Sequence, residues 1–105
     1  MSIREFQAQS ASDRELVLPF ATALLALETL EASGARLLGW EGWLRHANGA
    51  LGHSALHQGT VSLGGRDATQ AFSVVRQTIR QSQHQHLKSP EASGSELLFC
   101  ISYEA

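Results

Sequence analysis

A chain of 105 residues has the length of one domain around one core and leaves no room for a second. Hydrophobic residues at 43% and charged residues at 17% exclude a disordered chain. A formal charge of −2, with the eight Lys and Arg spread from Arg4 to Lys88, excludes the clustered basic face of a nucleic-acid binder.

The single cysteine, Cys100, rules out an internal disulfide and suits a reducing compartment. Met1-Ser2-Ile3-Arg4-Glu5 has no apolar h-region, so no signal peptide is expected. The longest apolar run, residues 23–27, is too short to span a bilayer. These features predict a soluble cytoplasmic domain with neither nucleic acid nor membrane as partner.

In chain order, residues 1–11 carry only Ile3 and Phe6 as anchors, which predicts a loosely attached N-terminal arm on a single domain of residues 1–105. Ser12 and Glu15 have the spacing of a capping box. Pro19 then either kinks the helix that follows or stands in its first turn. Apolar positions 20, 23, 24, 27 and 30 form one helical stripe, and Gly34 suits the left-handed C′ position.

Residues 36–47 change period to that of a strand. Leu38, Trp40 and Leu44 share one predicted face; Leu37, Glu41, Trp43 and Arg45 share the other. Asn48-Gly49 predicts a two-residue hairpin turn, which pairs Leu44 with His53 and Trp43 with Ser54 and puts His53 on the face of Trp40. Residues 60–63 form a possible short further strand, broken by Gly64-Gly65. Asp67 and Gln70 form a second capping box, ahead of a stripe of Ala68, Phe72, Val75 and Ile79 widened by Ala71 and Val74. Residues 81–86 are polar all round and predict a fraying or projecting helix end, and residues 89–95 a loop. Residues 96–103 are apolar on both faces, as in a central strand. The expected fold is α+β, two helices on one face of a three- to four-stranded, mainly antiparallel sheet, in the order α-β-β-(β)-α-β.

Several groups invite chemistry. His53 and His57, four apart, would share a metal ion on a helix, but in a strand that spacing spans roughly 13 Å. His84 and His86 point apart on a helix. No metal site and no cofactor is therefore expected. Cys100, between Phe99 and Ile101, reads as core packing rather than as a nucleophile. Gly64-Gly65-Arg66-Asp67 lacks the spacing of a phosphate loop. Glu28 and Glu31 read as a solvated helix face. Glu41, Trp43 and Arg45 place an acid, an indole and a guanidinium on one strand face about 7 Å apart. That row reads either as a local surface ion pair or as an interface anchor, since Trp and Arg are enriched in binding hot spots.

Leu38-Gly39-Trp40-Glu41-Gly42-Trp43, with Asn48-Gly49, Gly52-His53, His57-Gln58-Gly59-Thr60 and the closing strand Leu97 to Tyr103, resembles small α+β immunity proteins that neutralise bacterial polymorphic or secreted toxins. The likeness spans residues 20–103. It implies a non-enzymatic inhibitor that binds one cognate protein toxin and occludes its active site. The expected contact residues are Glu41, Trp43, Arg45, His46, His53, His57 and Gln58. A homodimeric adaptor pairing through its open sheet face, and a small ligand-binding domain or enzyme using His53 and Glu41, are the alternatives.

Overall fold

The computed structural model describes residues 2–60 and 67–104, apart from the side chains of residues 55, 56, 58–60 and 91. Its first departure from expectation is at the N-terminus. The predicted arm is a helix, α1 (Ile3–Gln9), closed by a capping box in which Ser2 and Glu5 each accept from the other's backbone N–H. Phe6, 1% exposed, anchors α1 in the main core. Ile3 packs beside it, and Gln7 Nε2 donates to the Ser12 and Glu15 carbonyl oxygens.

The second departure follows at once. The Ser12 hydroxyl accepts from the N–H groups of Arg14 and Glu15, as at a helix start, yet strand β1 (Leu16–Pro19) comes next. A proline cannot donate to a helix and holds the residue before it extended. Pro19 therefore ends the strand and caps α2 (Phe20–Ala32). Beyond α2, Gly34 takes φ +78°, with Gly34 N–H donating to the Glu31 carbonyl and Ala35 N–H to the Leu30 carbonyl. That is the Schellman closure expected of this glycine.

Strands β2 (Arg36–His46) and β3 (Leu51–Thr60) form the hairpin; α3 (Ala68–Lys88) and β4 (Ser95–Glu104) complete the fold. The sheet order is β1-β4-β2-β3, with all neighbours antiparallel. Strand β4 is central, as its two-sided apolarity requires. Among the described residues the fold is α+β, with three helices and a four-stranded antiparallel sheet. The fourth strand is β1. Of the predicted extra strand at 60–63, Thr60 closes β3 and the rest lies outside the described residues.

The helices bury one face of the sheet. Leu16, Leu18, Leu37, Trp40, Leu97, Phe99 and Ile101 meet Ala23, Leu27 and Leu30 of α2 and Phe72, Val75 and Ile79 of α3. Trp40 lies 5.2 Å from Phe99, ring centre to ring centre, and donates its indole N–H to Thr78 Oγ1 at 2.9 Å. Arg76 and Glu31 join the two helices at 2.6 Å. The Asp67–Gln70 capping box opens α3 as expected. Its polar end does not fray: the helix runs to Lys88, and His86 is 3% exposed, its Nε2 3.2 Å from the Ser95 carbonyl oxygen.

Two details of β2 overturn the predicted faces. A bulge against β4 between Leu37 and Gly39, where Gly39 takes φ +149°, inserts one residue. Leu37 therefore joins Trp40 in the core, while Leu38 lines a groove with Cys100 and Ser102. The hairpin loop also has three residues, not two. Gly49, at φ +88°, donates to the His46 carbonyl at 2.8 Å, and His46 N–H donates to Ala50 at 2.9 Å. This moves the register by one, pairing Trp43 with His53 instead of Ser54. His53 thereby leaves the face of Trp40 for that of Trp43.

Candidate functional site: the sheet face turned away from the helices

Alternation along β4 sends Leu97, Phe99 and Ile101 towards the helices and Leu98 and Cys100 the other way. On that second face Val17, Leu98 and Cys100 are buried, roofed by Ala11 and Trp43 rather than by α2 or α3. The chain before β1 folds over them. Ala11 N–H donates to the Val17 carbonyl at 3.0 Å, and Ser10 Oγ accepts from Val17 N–H at 2.8 Å.

Cys100 Sγ–H donates to Glu15 Oε2 at 3.3 Å. Its thiol is pushed up from 9.0 to about 12, first by burial, then by that hydrogen bond, then by the negative charges of Glu15 and Glu41. A thiol held protonated is a poor nucleophile. Glu15, Glu41 and Cys100 bring ligand atoms within 4.8 Å of one another. Packing remains the role of Cys100.

Above this small core stand Glu41, Trp43 and Arg45. Glu41 Oε1 accepts the Trp43 indole N–H at 3.1 Å and lies 3.4 Å from His53 Nδ1. The His53 ring sits 4.8 Å from that of Trp43, inclined at 58°. The indole is thus held on one side by a carboxylate of its own strand and on another by an imidazole of the next. Arg45 does not close the row with Glu41; it reaches across to β4 and pairs with Glu96. Beside the row, a groove of about 480 Å³ runs between the chain before β1 and β4, lined by Arg14, Glu15, Leu38, Cys100 and Ser102 among others.

Of the seven expected contact residues, Glu41, Trp43, Arg45 and His53 come together here, and His46 is exposed where β2 enters the loop. His57 does not join them. It is 5% exposed on the helix side, its ring 6.2 Å from that of His86. The cause is a wide bulge. His53 pairs with Trp43 and Gln58 with Glu41, so residues 54–57 of β3 all stand opposite Gly42. A Cβ at Gly42 would lie 2.8 Å from both the Cβ and the carbonyl oxygen of His57, so glycine is required there. The side chain of Gln58 lies outside the described residues, although its backbone faces Glu41.

Sequence reasoning missed Glu15, Val17 and Glu96 as parts of this face. The first two follow from recognising β1 and the chain just before it; Glu96 was the first residue of a segment read as apolar on both faces. Compared with family models, curated proteins and solved structures, the chain matches none.

Proposed function

We propose that this chain is a protein-binding inhibitor of the immunity type, non-enzymatic, and that it recognises a cognate protein toxin through the sheet face turned away from α2 and α3. The observation that carries this reading is the half-buried Trp43, held between Glu41 and His53 on a face with a rigid apolar floor. A tryptophan with its rotamer fixed before binding loses little conformational entropy on association, and such residues supply much of the energy of known interfaces. Arg45 and Glu96 form the polar rim of the same patch.

The reading predicts a cytoplasmic protein encoded beside its toxin. Among the described residues no helix is long and apolar enough to cross a membrane, in keeping with a partner met in solution. The experiment is co-expression with the product of the adjacent upstream reading frame, scoring growth and then co-elution on size exclusion. A neighbour that kills alone, is silenced by this chain and co-elutes with it supports the reading. A harmless or non-binding neighbour contradicts it.

A further inference from the structure

Spacing along the chain compared histidines within a segment, whereas the fold brings together two from different ones. His57, from the bulge of β3, and His86, from the last turn of α3, are 5% and 3% exposed, and their ring centres are 6.2 Å apart. His86 Nε2 lies 3.2 Å from the Ser95 carbonyl oxygen. A carbonyl oxygen only accepts, so Nε2 carries a proton, and in the neutral ring Nδ1 presents a lone pair. That Nδ1 is buried and meets no donor. Three residues earlier, on the same side of α3, Gln83 Oε1 is also buried and meets no donor.

Buried acceptors without partners are costly, and here two stand on one helix turn beside a second imidazole. An imidazole fixed by donating one N–H to a backbone carbonyl, with its other nitrogen bare, is the arrangement in which histidines ligate metals. We propose that His86 Nδ1, Gln83 Oε1 and the His57 imidazole form a site for a transition-metal cation of the Zn²⁺ class. The donors are uncharged and mostly nitrogen, which disfavours Mg²⁺ and Ca²⁺, whose ligands are oxygens and largely carboxylates. Three protein ligands leave a fourth position for water. The site is on the helix side of the sheet, away from Trp43, and it fastens the bulge of β3 to the end of α3. A water molecule donating to Nδ1 and Oε1 is the competing occupant.

The test is calorimetric titration of the chelator-treated protein with ZnCl2, together with the visible spectrum on adding Co²⁺. The expected result is saturable binding of one ion per chain, nitrogen-rich Co²⁺ bands and a raised Tm. His86→Ala should weaken binding by about tenfold or more, since losing even an outer-shell partner of a metal site costs about 10–100-fold. Gln83→Leu, which leaves the link from His86 to Ser95 in place, should also weaken it and decides the matter if His86→Ala does not fold. His84→Ala, on the same helix but exposed, should change nothing. No saturable binding, binding that survives both His86→Ala and Gln83→Leu, or binding lost with His84→Ala would overturn the site and leave an ordered water only.

Discussion

Trp40 and Trp43 lie three residues apart on β2 and face opposite sides of the sheet. Trp40 is 4% exposed, packed on Phe99, with its N–H given to a hydroxyl on α3. Trp43 is half-buried, set over Val17, Leu98 and Cys100, with its N–H given to a carboxylate on its own strand. The first indole ties a helix to the sheet. The second joins β2 to β3 within the sheet, lying against His53 and Glu41, and it keeps Glu41, itself 41% exposed in its side chain, in a fixed pose at the surface. One face is packed under the helices, and the other holds an aromatic and an acid in a fixed pose at the surface.

The largest expected effect separates the faces by stability. Phe99→Ala should cost about 3–5 kcal/mol in urea unfolding, because Phe99 is fully buried between Trp40 and Phe20. Trp43→Ala should cost only about 1–2 kcal/mol, since solvent already reaches part of its ring. Equal losses would break the distinction.

Next comes Gly42→Ala, which forces a Cβ within 2.8 Å of the His57 carbonyl oxygen and should cost about 1–3 kcal/mol. Gly52→Ala on the partner strand meets nothing within 4 Å and should stay within about 0.5 kcal/mol. Comparable costs would mean that the bulge of β3 does not crowd Gly42.

Cys100 gives the outer face a pH dependence of its own. Folding raises its pKa from 9.0 to about 12, so the fold favours the neutral thiol. Its contribution to stability is complete below pH 9 and is lost as pH rises through about 12. Wild type should therefore lose more stability than Cys100→Ala between pH 8 and 11 in paired urea titrations. Parallel profiles would contradict the burial of the thiol against Glu15 and Glu41.

The smallest effect belongs to the rim. Arg45 and Glu96 are both about half exposed in their side chains, and a double-mutant cycle at this pair should give less than about 1 kcal/mol, falling further with salt.

What could be read from the sequence was what local chemistry decides. Gly34 at C′, Asp67 with Gln70 at a helix start, the stripe of α3 and the two-sided apolarity of β4 each need only a few neighbouring residues. Strand β1 was hidden because Ser12 and Glu15 imitate a helix cap, and because Leu16 to Leu18 is an apolar run too short to show a period. The hairpin register slipped because Asn48-Gly49 suits a two-residue turn as well as the three-residue loop that forms. Both bulges depend on what lies across the sheet from Gly39 and Gly42, which no local pattern records. The row Glu41, Trp43, Arg45 was legible from period two alone. The arrival of His53 beside it, and the departure of His57, followed from register and bulge.

The most direct measurement is the affinity of the upstream neighbour's product for two variants that probe the two sides of the molecule. One is Glu41→Ala with Trp43→Ala; the other is Leu25→Ser, on the outer surface of α2, where Leu25 is 53% exposed. A hot spot at Trp43 predicts a loss of at least about 2 kcal/mol, roughly 30-fold, for the first variant with its fold retained, and no change for the second. Undiminished binding by the folded Glu41/Trp43 variant, or a loss confined to Leu25→Ser, would place recognition on the helices and contradict the account.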